Sequence, residues 1–387
     1  MVIHKAMMRS ANEKSVLQAV YAAELISKSE IARQVELNKV TVSQIANKFL
    51  ETGLLKEVGE GTSTQQGGRK PSLLEINKEY GFIVSVDLGY KMVSLMTMSI
   101  NGEKLVSLDI RVANNQINEM LTVIMNFIDE QKEKQESNLL GISVAIHGIV
   151  KHNKIRYSPF IDMQNINLEK VLKYKYDVPI LLENEANLTA IYERDFSTGN
   201  IQNAVSISIH KGIGAGIIIE GKLHRGHNGE AGEIGQTVIF DRQGSSLLND
   251  NKIEDYCSQD AVLEHIKKAK KLEYINLPLV KQMYENQDKV VLEILDNFCL
   301  DISRLVNNVI VSFDPDVVFM NANILKEIPN LLIKIRTPFE KGTLKNTPII
   351  LSNNVEYSTL YGGCAQIIIK VLGLTDLKLK FMVKEEI

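Results

Sequence analysis

Apolar positions along the chain follow two rhythms, a helical one near the start and mostly a strand-like one afterwards. Over 8–23, Val16, Leu17, Val20 and Tyr21 share one helical face. Ser27-Lys28-Ser29-Glu30 has the S-x-x-E spacing of a capping box and predicts a short helix burying Ile31, Ala32 and Val35. Leu37-Asn38 reads as a turn, and Asn38 is a good N-cap for a third helix running to about Thr52 and stopping at Gly53. In that helix Val42, Ile45, Ala46 and Phe49 fall at i, i+3, i+4 and i+7, a single apolar stripe. A strand over 54–58, a Gly/Ser/Thr/Gln loop and a returning strand over 72–76 follow.

From residue 82 the rhythm becomes strand-like. Strands are predicted over 82–87, 93–100 and 105–112, the last two joined by Asn101-Gly102, a strong hairpin signal. A helix over 117–134, a buried strand over 139–145, a helix near 168–174 and a strand over 179–182 come next. The order repeats from Ala204: two strands, a third near 237–240, helices through 258–311, and strands over 317–320 and 349–351. A closing helix over about 360–371 is expected to return to the first lobe. This duplication predicts two similar α/β lobes, with ligand sites outside the carboxyl ends of the strands. Asp87, His147, Asn184-Glu185 and the Gly212 loop all stand at such ends.

Composition narrows the class. The 387 residues exceed one ordinary core, and 44% hydrophobic with 24% charged residues suits a soluble protein. No apolar run approaches a membrane span and the N-terminus lacks a signal-peptide core. Cys257, Cys299 and Cys364 form neither a disulfide framework nor a CxxC pair, so a reduced, cytoplasmic setting is expected. Up to Tyr80 eleven Lys/Arg stand against nine Asp/Glu, and 33 against 38 in the remainder, a mild asymmetry that permits a nucleic-acid-binding N-terminus.

Two patterns carry candidate chemistry. The polar face of the third helix presents Lys39, Thr41, Ser43, Gln44, Asn47 and Lys48, with hardly any acid. Such side chains can reach base edges and phosphates, and two short helices joined by a tight turn make the helix-turn-helix plan. Gly67-Gly68-Arg69-Lys70-Pro71 between the two strands reads as a wing, with Arg69 on a flexible lead suited to a narrow minor groove and Lys70 beside it. A small helical protein-binding domain is the plainer alternative. The second pattern spans 204–236: an alternating strand, Gly212-Ile213-Gly214-Ala215-Gly216, a second strand, then a glycine-rich loop carrying Glu230 and Glu233. Closely spaced glycines let backbone approach a small polar ligand, although a hairpin with surface carboxylates would look similar.

Taken together, GGRKP, VDLG, GISVAIHG, ENEAN, GIGAG, HRGHNGEAGEIGQ, IEDYCS and FDPDVV, in this order, resemble the ROK family of repressors, uncharacterised reading frames and sugar kinases. The likeness is to its repressor branch, such as xylose-type regulators. It implies an α/β chain with an N-terminal winged helix-turn-helix (1–80) and a two-lobed, actin-like (ribonuclease H-like) ATPase fold. The first lobe would span 81–190 with 360–387 returning to it, and the second, sugar-sensing lobe 191–359. The resemblance also implies a monosaccharide between the lobes, xylose or a hexose, on Asn184, Glu185, Glu233, Gln236 and Glu254. In this assignment Asn184-Glu185 lie on the first lobe and Glu233 and Glu254 on the second.

Several positions depart from the family's kinases. Tyr90-Lys91 follow Gly89 where D-x-G-x-T is usual, and His210-Lys211 replace two small residues before Gly212. Asn321-Ala322-Asn323 replace glycines after the Asp-Pro strand, and Glu185 stands for the catalytic Asp of N-D-A-N. Each adds bulk where a nucleotide needs close backbone approach, or misplaces the base. Gln236 holds the place of a zinc-binding His, and no C-x-C-G-x-x-G-C occurs. No catalytic residue, cofactor or metal is therefore expected; Gln236 could take over a donor role, and His147 lines the pocket or merely packs. The expectation is a sugar-responsive regulator of a carbohydrate-utilisation operon, most simply a repressor, binding operator DNA as a homodimer or dimer of dimers, without membrane association. A low-activity sugar kinase and a sensor for a protein partner are the alternatives.

Overall fold

The computed structural model describes residues 2–23, 25–60, 71–197, 199–238, 252–340, 347–374 and 379–381. α1 (Val2–Ala23) leads through β1 (Ile26–Ser27) to α2 (Lys28–Gln34) and α3 (Lys39–Glu51). The capping box forms in full: Ser27 Oγ accepts from Glu30 N–H, and the Glu30 carboxylate accepts from Ser27 N–H at 3.0 Å. α2 buries Ile31 and Ala32, while Val35 is its half-buried C-cap. Asn38 caps α3 by accepting from Thr41 N–H at 2.7 Å, and the buried set of α3 is the predicted stripe of Val42, Ile45, Ala46 and Phe49. β2 (Leu55–Glu60) and β3 (Ser72–Ile76) pair antiparallel with a bulge between Glu57 and Glu60, and β1 joins the other edge of β3. Three helices on a small sheet with a β2–β3 hairpin is the winged helix-turn-helix arrangement.

β4 (Phe82–Gly89), β5 (Met92–Ser99) and β6 (Lys104–Arg111) form an antiparallel meander. α4 (Ile117–Lys134), β7 (Leu139–Ile146), the hairpin β8 (Ile149–Lys151) and β9 (Lys154–Tyr157), α5 (Leu168–Tyr176) and β10 (Ile180–Asn184) follow. The sheet order is β6-β5-β4-β7-β10. α6 (Glu185–Asp195) then leads to β11 (Ala204–Ile209), β12 (Ile213–Ile219) and β13 (Lys222–Leu223). After α7 (Glu254–Cys257), α8 (Gln259–Lys270), α9 (Leu277–Glu285) and α10 (Lys289–Phe313) come β14 (Val317–Asn321), α11 (Asn323–Glu327), α12 (Asn330–Glu340), β15 (Ile349–Leu351) and α13 (Ser358–Val371). The second sheet, β13-β12-β11-β14-β15, repeats the order of the first, with β11, β14 and β15 parallel. The duplication predicted by the repeated strand pattern is therefore present.

Two details correct the expectation. The third strand of the second meander is β13 rather than 237–240, because the chain turns at Gly221 and pairs Ile219 with Lys222 at once. Val238 makes only an isolated bridge to Lys252, and 239–240 lie outside the described residues. Gly212–Gly216 is not a loop either: β12 starts at Ile213, with only the turn at His210–Gly212 before it. Gly216 is required by packing, since a Cβ there would sit 2.2 Å from the Ala186 carbonyl oxygen of α6.

The chain groups into two compact units, Met1–Val144 with Ile161–Leu182 and Gly363–Ile387, and Ala145–Phe160 with Glu183–Gly362. Residues 145–160 and 183–190, assigned by sequence to the first lobe, thus group with β11–β15. The reason is α6, whose Ala186 and Ala190 lie against β12 at Gly216.

Candidate functional site

The second unit holds a cavity of about 520 Å³, within the range of small-molecule sites. Asn184, Glu185, Glu233, Gln236 and Glu254 all line it. All five belong to one unit, so Asn184-Glu185 and Glu233 and Glu254 are not divided between the two as the sequence reading had them.

Asn184 ends β10 and caps α6: its Oδ1 accepts from Asn187 N–H at 3.1 Å, and its Nδ2 donates to the Gly148 carbonyl at 2.8 Å. Its side chain is held rigidly, with one amide hydrogen left for the cavity. Glu185 is the first residue of α6 and is buried. Its Oε1 accepts from Ser208 at 3.0 Å, and the Thr189 and Thr359 hydroxyls stand 3.3 Å from it, while His210 Nε2 is 3.8 Å away. Three hydroxyls surround this carboxylate at the helix N-terminus, where the dipole also favours it.

The glycine-rich loop is clamped at two points. Arg225 donates from Nε and a terminal nitrogen to Glu183 Oε2, each at 2.7 Å, tying the loop to the end of β10. Gly232, at φ +95°, accepts from Ala215 N–H at 2.8 Å, and a Cβ at Gly232 would sit 1.8 Å from the Ala215 carbonyl oxygen. This seats Glu233 in the cavity. Burial, then the neighbouring Glu254 and Glu230 carboxylates, push the Glu233 carboxyl above its usual range. Glu254 Oε2 accepts from Ile213 N–H at 3.4 Å, and Oε1 accepts from the Gln236 amide. Gln236 therefore acts as a donor, toward Glu254. An amide so engaged does not fit the zinc site of family members.

Residues that motif reading left out complete the wall. Tyr157, Pro159 and Phe160 enter from the β8–β9 hairpin and the segment after it, with Ser208 and Lys252, and Glu230 of the glycine-rich loop joins them. His147, with two readings open from sequence, lines the cavity. Lys211 lies over the Phe160 ring, 5.4 Å from its centroid, and 3.4 Å from Asp260. An apolar signal in Tyr157-Ser158-Pro159-Phe160 was visible in sequence, but nothing local says that it faces β12. Carboxylates, an amide and hydroxyls around an aromatic wall can order a neutral polyhydroxylated molecule. At the loops that differ from the kinases, Asn321, the last residue of β14, is buried and donates to Thr189 at 3.3 Å and Ser358 at 3.1 Å.

In the first unit, α3 exposes Lys39, Gln44, Asn47 and Lys48 and half-exposes Thr41 and Ser43. Asn47 accepts from Lys28 at 2.9 Å, and Lys48 pairs with Glu13 of α1 at 2.9 Å. These two bonds fix α3 against α1 and α2 and draw on Asn47 and Lys48. Arg69 and Lys70 lie outside the described residues. Among the described residues, no helix is long and apolar enough to cross a membrane.

The ROK family pattern matches residues 83–358. The chain is 37% identical over 386 residues to the xylose repressor of Lactiplantibacillus pentosus, covering 98% of each. It is 38% identical over 376 residues to that of Staphylococcus xylosus, covering 95% of this chain and 97% of the relative. A solved ROK family transcriptional regulator, a homologue of the E. coli MLC protein, superposes with a TM-score of 0.79 at 20% identity over 94% of this chain and 96% of its own. With the repeated strand order, the glycine-clamped cavity and these matches in place, the chain belongs to the ROK family.

Proposed function

We propose that this chain is a sugar-responsive transcriptional repressor of a carbohydrate-utilisation operon. It takes a monosaccharide, D-xylose first, in the cavity of the second unit and operator DNA on α3 and the wing. The observation that carries this is the convergence of Asn184, Glu185, Glu233, Gln236 and Glu254 on one cavity of about 520 Å³, in a chain that also carries a winged helix-turn-helix. The names of the two repressor relatives support the choice of sugar. Operator half-sites call for two recognition helices, so the working form is a homodimer or a higher even oligomer, acting in the cytoplasm.

The test is a thermal melt and an operator titration, each with and without D-xylose, on the parent and on Glu233→Gln. The parent gains thermal stability with D-xylose and its operator affinity changes. Glu233→Gln loses both responses and keeps sugar-free operator binding, since Glu233 lies in the other unit from α3. A mutant that answers D-xylose with parental sensitivity removes Glu233 from the site. ADP release from ATP across a monosaccharide panel at a rate typical of sugar kinases would instead establish the kinase alternative.

A further inference from the structure

Helix α13 belongs to both compact units. Its residues to Gly362 group with the cavity, and those from Gly363 onward group with the winged helix. In its first turn the buried Thr359 donates to Glu185 Oε1 at 3.3 Å and accepts from the Thr189 hydroxyl, 3.2 Å away. Ser358, also buried, accepts from Asn321. Gly362 abuts the α6 backbone, where a Cβ would meet the Leu188 carbonyl oxygen at 1.9 Å. The adjacent Gly363 abuts the other unit: a Cβ there would lie 2.3 Å from Ser85 Oγ of β4 and 2.9 Å from Ser143 Oγ of β7.

Beyond the glycines the helix is locked into the first unit. Ile367 packs onto Gly141 of β7, and Lys370 Nζ donates to the Ile180 carbonyl at 2.7 Å. Gly373, at φ +65°, closes the helix, with Leu374 N–H returning to the Ile369 carbonyl at 2.8 Å. Leu374 and Leu379 are fully buried, and Phe381 sets its ring edge-on to Tyr21 of α1, 5.8 Å between centroids. The same ring covers Gly102, in the β5–β6 turn, where a Cβ would be 2.6 Å away. Tyr21 donates to the Ile100 carbonyl at 2.7 Å. Burial pushes this phenol well upward, so it remains a donor throughout the working pH range.

We propose that α13 couples the cavity to the winged helix, with Thr359 as the positioning residue at Glu185 and Phe381 as the contact that passes a shift of α13 to α1 through Tyr21. The coupling rests on the reading of the cavity as the effector site. A ligand hydroxyl donating to Glu185 competes with Thr359 for the same carboxylate. Occupancy then changes the favoured position of the first turn of α13. A close-packed helix with two glycine contacts moves as a body, because cores have discrete packings rather than continuous slack.

The test uses the full chain, with D-xylose as probe, and measures D-xylose affinity by calorimetry and operator affinity with and without the sugar. Phe381→Ala keeps D-xylose affinity and sugar-free operator affinity within about threefold, while the ratio of operator affinities with and without sugar falls at least roughly fivefold. Thr359→Val lowers the same ratio. The double variant loses no more than the larger single loss, because both act on one path. Should Phe381→Ala lower the folded fraction, Phe381→Leu, which keeps an apolar side chain but removes the ring set edge-on to Tyr21, carries the same expectation. Single variants with the parental ratio, or losses that multiply in the double, overturn the coupling. A parent without any D-xylose response refutes the effector reading, and the coupling with it; a responsive parent with responsive variants refutes the coupling alone.

Discussion

Helices α3 and α6 start alike and end differently. Each opens on an asparagine whose side chain accepts from the backbone N–H three residues on, Asn38 from Thr41 and Asn184 from Asn187. α3 then buries only its four-residue stripe and gives its other face to solvent. α6 buries all eleven of its residues, Glu185, Glu193, Arg194 and Asp195 among them. A helix with one wet face announces its role through periodicity, because polar side chains on that face have no packing to satisfy. A helix buried all round has no stripe, and its charged residues are held by particular partners. Arg194 pairs with Asp195 at 2.6 Å, and Glu185 lies among the Ser208, Thr189 and Thr359 hydroxyls. On the proposed function the exposed helix faces a partner outside the chain, and the buried one serves a ligand and a scaffold inside it.

The sharpest way to break this contrast is to deny α6 its seat. Gly216→Ala places a Cβ 2.2 Å from the Ala186 carbonyl oxygen and 2.5 Å from Ala190 Cβ, and neither can yield without moving the helix. The expected loss exceeds about 3 kcal/mol. Gly214→Ala, whose nearest neighbour is Ala186 Cβ at 3.3 Å, should cost far less. Urea unfolding of both variants checks it, and equal midpoints would show that α6 is not held by the glycine approach.

Next in size is the buried carboxyl near the far end of α6. Burial raises Glu193 to about 7, against a lowering by the Ser352 hydroxyl that donates to it. The folded state therefore binds this proton more tightly than the unfolded chain does. Stability contributed by the group is full below the ordinary glutamate range and is lost as pH rises toward 7. Glu193→Gln should flatten that decline and stabilise the protein above pH 7 by on the order of 3 kcal/mol. Thermal melts from pH 5 to 8 decide it; a variant with the parental pH slope would show that Glu193 does not titrate there.

On the exposed helix the equivalent probe is read on DNA. Gln44→Ala should leave the melting temperature near parental and relax operator specificity at one position, by ~1–3 kcal/mol if the amide makes a bidentate base contact. Footprints unchanged in strength and sequence preference would take Gln44 out of the interface.

The smallest effect tests the shared beginning. Asn38→Ala and Asn184→Ala each remove a cap and should each cost about 1 kcal/mol of stability. Their functional signatures should separate: Asn38→Ala weakens operator binding and spares the D-xylose response, and Asn184→Ala does the reverse. Matching signatures from the two variants would collapse the division between the helices.

Local chemistry made much of this molecule legible from its residues alone. Ser27 and Glu30 sit three apart and must meet across one helical turn, so the capping box follows from spacing. The stripe of α3, the helix over Ile117–Lys134 and the strands β3 and β15 depend on neighbours within a few residues, and their limits agree with the pattern. The five cavity residues were found through motif order rather than periodicity. Only the tertiary structure decided that all five share a unit, because that depends on α6 settling on β12. It also decided that Gly214 and Gly216 belong to a strand, since what they make room for is a helix some thirty residues earlier in the chain. Tyr157 and Phe160 as a cavity wall, the Arg225–Glu183 clamp and the passage of α13 from Thr359 to Phe381 are likewise long-range pairings. A residue's own type and its near neighbours set the element it forms; which distant surface that element meets is settled by packing, which no local pattern encodes.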